Sequence, residues 1–303
     1  MLTEDNAKAV DRMQSFIENA LDHKITMLDL ARAAGYSPYH AARIFKELTG
    51  KSPFEYIRAM RLTEAAKKLR GGDVKVVDTA MDFLFSSHEG FTRSFTKEFG
   101  ISPRKYMDNP IPLQYFIPYS ALSYYLYLNR KGESQVMETK NNIVFVQVMD
   151  REARKAIVKR GVCAEEYFAY CSEVGCDVWG VLESVKDALF EPAGYWLPDK
   201  LIKPGTSRYI QGVEVSADYK GKVPEGYDII DLAPQKFLVF QGQPFKDEEF
   251  EDAVLSVQAA IEKYDPTPYG YEFDYDSAPS FQLAPLGYRG YLEARPIRIL
   301  KNK

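Results

Sequence analysis

Residues 26–56 and 75–106 spell out one pattern twice, and no other feature of the chain restricts its fold so strongly. Arg93, Phe95, Gly100, Ser102, Pro103 and Tyr106 stand fifty positions after Arg43, Phe45, Gly50, Ser52, Pro53 and Tyr56. Upstream of the turn the offset is forty-nine, as in Ala31 and Ala80, so the second copy carries one extra turn residue. A repeat of about thirty residues is one supersecondary unit used twice. In the first copy Gly35 supplies a turn, Ser37 an N-cap and Pro38 a first helical position. The following helix buries Ala41, Ile44, Phe45 and Leu48 at i, i+3, i+4, i+7. Tyr39, His40, Ala42, Arg43 and Lys46 are left on its outer side.

The second copy reads alike. A short helix near Val76–Phe83 precedes a capping box of Ser86 and Glu89, after which Phe91, Phe95 and Phe99 point inward. Ser87, His88, Thr92, Arg93 and Lys97 are free to point out. A long helix from Pro53 to about Leu69 joins the copies and fixes their spacing, ending at Gly71-Gly72. Two helix-turn-helix units with polar outer faces imply two successive contacts with duplex DNA. Charge agrees: residues 1–107 carry 17 Lys and Arg against 14 Asp and Glu, within a chain of net charge −4. The mildly basic end is thus followed by an acidic one.

Residues 8–107 resemble the DNA-binding domain of the AraC/XylS family of bacterial transcription regulators, and the stretch from Phe95 through Gly100-Ile101-Ser102-Pro103 to Tyr106 matches its signature. The resemblance implies base-facing roles for Tyr39, Ala42, Arg43, His88 and Arg93, double-stranded DNA and RNA polymerase as partners, and most often activation. Leu84 departs from the family, which has glycine at that turn; leucine there either adopts a strained backbone or relaxes the turn.

A second repeat follows an aromatic-rich connector, residues 108–142, whose Tyr115, Phe116, Tyr119, Tyr124, Tyr125 and Tyr127 are expected to pack between domains. Arg154–Gly161 parallels Gln235–Gly242, each a strand-like run ending in glycine. Amphipathic helices follow at Asp177–Phe190 and Asp247–Tyr264, then strands at Tyr209–Ser216, Tyr227–Leu232, Ser280–Ala284 and Tyr288–Leu300. Two strand-helix-strand-strand repeats imply an α+β domain with pseudo-twofold symmetry. The expected chain is therefore multidomain: an all-α tandem helix-turn-helix domain at 1–107, the connector, and an α+β domain at 143–303.

The order of elements and the stretches Gly212-Val-Glu-Val215, Pro224-Glu-Gly226 and Arg289–Ile297 resemble the GyrI-like effector-binding domain, in a Rob-like arrangement. That resemblance implies that Glu293 faces a central ligand groove; the alternative for this residue is an ion pair with Arg295 or Arg289 on an exposed face. With Tyr291, Trp179, Tyr195, Trp196 and Tyr209 as walls, a carboxylate ringed by aromatics suits a cationic, amphipathic small-molecule effector. An alternative makes the domain a hydrolase of small molecules, using Glu293 with Tyr291 or Tyr209.

Other chemistry finds no support. Three dispersed histidines, 23, 40 and 88, and three cysteines without a C-x-x-C pair offer no metal site. Gly50-Lys51-Ser52 imitates the end of a phosphate loop, but Phe45 stands where its first glycine belongs. No cofactor is expected, and no enzyme activity in the leading reading. Without a secretory leader or a uniformly apolar span, the expected compartment is the cytoplasm, away from membranes.

Overall fold

Helix starts in the first part of the chain are set by short polar side chains. Thr26 and Asp29 cap each other ahead of the helix Met27–Ala34, with Thr26 N donating to Asp29 Oδ2 at 3.0 Å and Asp29 N to Thr26 Oγ1 at 3.3 Å. Ser52 and Glu55 pair in the same sense ahead of the helix Pro53–Arg70, where Glu55 Oε2 accepts from Ser52 N at 2.9 Å. Left-handed glycines stop the helices that precede two of the turns: Gly50 at φ 73° and Gly100 at φ 69°. The computed structural model describes residues 2–72, 74–130, 143–175, 177–246 and 249–300. The chain divides into two units, Met1–Ile111 with Tyr115–Gln135, and Pro112–Gln114 with Val136–Lys303.

The first unit is all-α: α1 Glu4–Asn19, α2 Met27–Ala34, α3 Pro38–Thr49, α4 Pro53–Arg70, α5 Val76–Asp82, α6 His88–Phe99, α7 Pro103–Asp108 and α8 Ala121–Arg130. Its first helix-turn-helix buries Val10, Met13, Ile17, Leu30, Ala41, Ile44, Phe45 and Tyr56 in one cluster. The second is held by aromatic rings in sequence, with Phe85–Phe91, Phe91–Phe95, Phe95–Phe99 and Phe95–Tyr106 centroids 4.7–5.9 Å apart. Phe85–Phe91 and Phe95–Phe99 meet edge-on, an arrangement that adds about 0.5–1.5 kcal/mol per pair beyond the area it buries. The repeat extends to single hydrogen bonds: Tyr36 N donates to Ala31 O at 3.1 Å, and Phe85 N to Ala80 O at 3.0 Å.

Leu84 takes the strained alternative. It holds φ 58°, where the first copy has Gly35 at φ 73°, and is the sole positive-φ residue other than glycine among those described. The cap of α6 is Ser87, whose Oγ accepts from Gly90 N at 3.1 Å, and not the expected Ser86. Gly90 lies in that first turn, where a Cβ would come within 3.2 Å of Ser87 Oγ.

The aromatic connector largely completes this unit. The Tyr115 and Tyr106 hydroxyls lie 2.9 Å apart, and Phe116 N donates to Thr63 Oγ1 at 2.9 Å. The Tyr119 hydroxyl donates to Leu48 O at 2.9 Å, while Ala121 and Leu122 enter the core beside α1. Gln14 on α1 ties the segment down: its Nε2 donates to the Tyr56 hydroxyl at 2.9 Å and to Tyr119 O at 2.8 Å, and its Oε1 accepts from Ala121 N at 3.0 Å. Residues 131–142, Cys176, Asp247 and the side chain of Tyr127 lie outside what is described.

The second unit is one antiparallel sheet in the order β1-β6-β9-β8-β3-β4-β2-β5, with β7 paired to β9. Its strands are β1 Phe145–Arg151, β2 Arg154–Arg160, β3 Ala193–Trp196, β4 Tyr209–Ser216, β5 Asp228–Leu232, β6 Gln235–Gln241, β7 Tyr271–Phe273, β8 Ser280–Leu283 and β9 Leu292–Ile299. The order is palindromic. β1-β2-helix-β3-β4 repeats as β5-β6-helix-β8-β9, and each leading strand joins the edge of the other half. Strand-helix-strand-strand is the kernel of each half, with one strand added in front. Tyr227–Leu232 leads the second half, and does not close the first as expected; the strand that completes the first half is β3.

Three helices cover one face: α9 Tyr167–Val174, α10 Val178–Glu183 and α11 Phe250–Lys263. Tyr170, Val178 and Leu182 pack on Ile157, Tyr209, Val213 and Val215, while Val257 and Ile261 pack on Leu238, Phe240, Tyr291 and Ile297. The expected helix over Asp177–Phe190 stops at Glu183, because Ala188 bridges to Val215 and Leu189 N donates to Glu214 O at 2.8 Å. α9 has an uncommon cap, Glu166, whose carboxylate accepts from Phe168 N at 2.8 Å and Ala169 N at 2.7 Å. Among the described residues no helix is long and apolar enough to cross a membrane.

Candidate nucleic-acid interface and effector site

The outer face of α3 is presented as its periodicity requires. Tyr39 is 83% exposed, Arg43 and Lys46 are exposed, and His40 and Ala42 are half-buried beside them. The Arg43 guanidinium lies between neighbours on its own helix, 3.3 Å from His40 Nδ1 and 3.4 Å from Glu47 Oε1. Tyr36 meets the His40 ring edge-on at 4.6 Å. These are weak exposed contacts, so the guanidinium can leave them for a base edge or a phosphate. On α6, His88, Arg93 and Lys97 are exposed and Thr92 is half-buried. Ser87 is already engaged as the cap of its own helix. Sequence reasoning passed over Tyr36, which the folded turn brings to this face, and Glu47, one helical turn after Arg43.

In the second unit the strand period of two decides which candidates meet. Tyr209, Trp196, Tyr291 and Glu293 lie on the helix-covered face. The rings of Trp196 and Tyr209 are 5.4 Å apart. Tyr195 is on the opposite face, against Phe281 and Ile210, which removes it from this group. Trp179 is half-buried on α10 and outside the cluster around Tyr209.

Glu293 has no exposed surface. Its carboxylate pairs with the Arg295 guanidinium, accepts from the Tyr291 hydroxyl at 2.5 Å and lies 3.2 Å from Gln258 Nε2 of α11. Arg295 also stands over the Trp196 ring at 5.4 Å. One internal cation therefore holds both contacts that a cationic ligand would use, the carboxylate and the aromatic face. Arg289, another possible partner, pairs with Glu191 instead.

Burial drives the Tyr291 hydroxyl far above the ordinary phenol range, with the Glu293 charge adding to it, and burial does the same at Tyr209. Both tyrosines stay protonated at any physiological pH. The Gln282 amide bridges them, 2.6 Å from the Tyr291 hydroxyl and 2.8 Å from that of Tyr209. This bridge depends on Gly194, where a Cβ would stand 2.1 Å from the Tyr209 hydroxyl oxygen. Gln258, Gln282 and Gly194 carried no signal in the sequence, since nothing local marks a residue that acts across strands. Among the described residues no group of three or more His, Cys, Asp or Glu is placed to hold a metal ion.

A helix-turn-helix domain model matches residues 30–109. The chain is 33% identical over 104 residues to the HTH-type transcriptional activator AarP of Providencia stuartii, covering 34% of this chain and 77% of AarP. It is 36% identical over 106 residues to the right origin-binding protein of Escherichia coli K12, covering 35% of this chain. That match spans only 37% of the right origin-binding protein's length. The solved structure of SAV2435 bound to tetraphenylphosphonium aligns with 51% of this chain and 94% of its own, at 15% identity and a TM-score of 0.34. The repeated helix-turn-helix and the extent of AarP that this chain covers together place it in the family of AraC-type helix-turn-helix transcription regulators.

Proposed function

We propose that this regulator reads DNA with α3 and α6 and responds to a small-molecule effector bound on the helix-covered face of its sheet. The observation that carries the DNA reading is the repeated presentation of Arg43 and Arg93 from capped helices whose opposite faces are buried. Tyr39, His40, Ala42, Lys46, His88, Thr92 and Lys97 border them. RNA polymerase as partner, activation as the sign of control and the cytoplasm as compartment belong to the same proposal.

For the effector, the arrangement of Glu293, Arg295, Trp196 and Tyr291 supports a cationic, amphipathic molecule that displaces the Arg295 guanidinium. Calorimetric titration with tetraphenylphosphonium, a lipophilic cation, tests this. Glu293→Gln keeps the shape, removes the charge and should weaken binding about tenfold or more. Undiminished binding would remove Glu293 from the site, and preference for a lipophilic anion would reverse the charge assignment. The hydrolase alternative rests on the short Tyr291–Glu293 hydrogen bond. Turnover of a bound molecule would favour it, whereas a sensor releases its ligand unchanged.

A further inference from the structure

The two halves of the sheet correspond strand for strand in order and pairing, and the correspondence isolates one side chain. Phe240 on β6 stands eighty-one positions after Lys159 on β2, the same offset that relates Arg154–Gly161 to Gln235–Gly242. Phe240 pairs with Glu293 on β9, and Lys159 pairs with Gln211 on β4. One strand further in, Glu293 pairs with Gln282 and Gln211 with Gly194, which pair with each other. Gln211 is therefore the pseudo-twofold equivalent of Glu293, and Tyr209-Ile-Gln-Gly212 the counterpart of Tyr291-Leu-Glu-Ala294. The two polar side chains lie in one row across the helix-covered face, three strand intervals or about 14 Å apart.

Their circumstances differ. Glu293 is served by Tyr291, Arg295 and Gln258. Around Gln211 the counterparts of Arg295 and Tyr291 are missing or diverted. Val213 stands where the other half has Arg295, and the Tyr209 hydroxyl is committed to Gln282 across Gly194. Gln211 is 1% exposed, and neither its Oε1 nor its Nε2 has a hydrogen-bond partner. Tyr209 and Val213, two positions to either side along β4, share its face, and Tyr170 packs on Tyr209 with ring centroids 5.7 Å apart. A carboxamide buried with both ends unmet is a standing cost to the fold.

We infer that Gln211 is a second polar anchor on this face, receiving an uncharged ligand group that offers both a donor and an acceptor, an amide or lactam. This rests on the effector reading above. A carboxamide matches such a group with two reciprocal hydrogen bonds. It supplies no counter-charge, so an ion buried against it would stay uncompensated. The face then has two poles, a charged one at Glu293 and a neutral one at Gln211.

Two measurements on the full chain test the assignment. In calorimetric unfolding without ligand, Gln211→Leu should raise the midpoint of the unit that contains it by about 3–8 °C, since it removes an unmet polar group. Gln211→Met, unbranched and of similar length, serves if leucine does not fit. An unchanged or lower midpoint in both variants would mean that an internal water already satisfies the amide, and overturns the proposal. In titrations, wild-type protein should bind 2-quinolinone at least tenfold more tightly than quinoline, which lacks the lactam, and Gln211→Leu should abolish the preference. Wild-type protein that fails to prefer the lactam, or binds neither compound, overturns the assignment. Tetraphenylphosphonium separates the two readings: if it still binds through Glu293, the effector site stands and only the role of Gln211 falls.

Discussion

Two buried glutamines carry opposite consequences at the scale of single residues. Gln14 meets three partners, so Gln14→Leu strands the Tyr56 hydroxyl and the amide of Ala121 and takes one donor from the carbonyl of Tyr119. Each buried group left unmet costs about 1–3 kcal/mol, and the variant should lose at least about 2 kcal/mol in denaturant unfolding. Loss near zero would show that water replaces the amide. Leu84 is the other informative position. A left-handed backbone costs a leucine about 1–2 kcal/mol, and glycine brings back about 0.5–1 kcal/mol of unfolded-state entropy. The side chain is 45% exposed and gives up little burial. Leu84→Gly should therefore stabilise the protein by roughly 0.5–1 kcal/mol. A destabilised variant would show that the leucine side chain contributes packing that outweighs the strain.

At the scale of elements, the recognition helices share an architecture and differ in what they present. Arg43→Ala should cost about 1–3 kcal/mol on the cognate site and relax preference at one base position. Equal loss on all sequences, measured by fluorescence anisotropy, would reduce Arg43 to a phosphate contact. The sheet edge gives a pH prediction. Asp228 on β5 accepts from Lys203 Nζ and Arg160 Nε, each at 2.7 Å, and these bonds hold its carboxyl below the ordinary range. A depressed folded-state pKa contributes stability that is present above the unfolded value and lost as pH falls through the folded one. Asp228→Asn should then shift the acid limb of a stability–pH curve, below about pH 4, and leave its alkaline limb in place. An unaltered acid limb would show that the lacing of β5 to β2 contributes nothing.

For the whole molecule, tandem reading units on one chain should protect two successive major-groove segments, about 34 Å apart on one face of an asymmetric site. A footprint confined to one segment would deny α6 a reading role. Control by an effector requires that bound ligand and bound DNA alter each other's affinity by the same factor. DNA affinity with and without saturating tetraphenylphosphonium should therefore differ. Equal affinities would leave ligand binding unconnected to DNA and end the switch reading.

The helix-turn-helix pair was legible because its information is local. Caps, glycine stops and a 3.6-residue apolar period lie within a dozen residues of one another, so Ser37, Pro38, Gly50 and the Ala41-Ile44-Phe45-Leu48 stripe suffice to place α3 and its outer face. The doubled strand-helix-strand-strand kernel was legible for a similar reason, as two glycine-terminated runs at a fixed offset. Its strand order was not. Edge exchange between halves depends on pairings between residues seventy or more positions apart, and no local pattern encodes them. The helix-covered face of the sheet divides in the same way. Tyr291 beside Glu293 could be read along one strand, but the register of β3 sent Tyr195 to the far side. Folding set the Arg295 that pairs with Glu293 over the Trp196 ring, and left Gln211 with Val213 in place of an arginine and with the Tyr209 hydroxyl engaged by Gln282. Spacing along the chain determined the elements; long-range register, which sums many weak pairings at once, decided which side chains face each other.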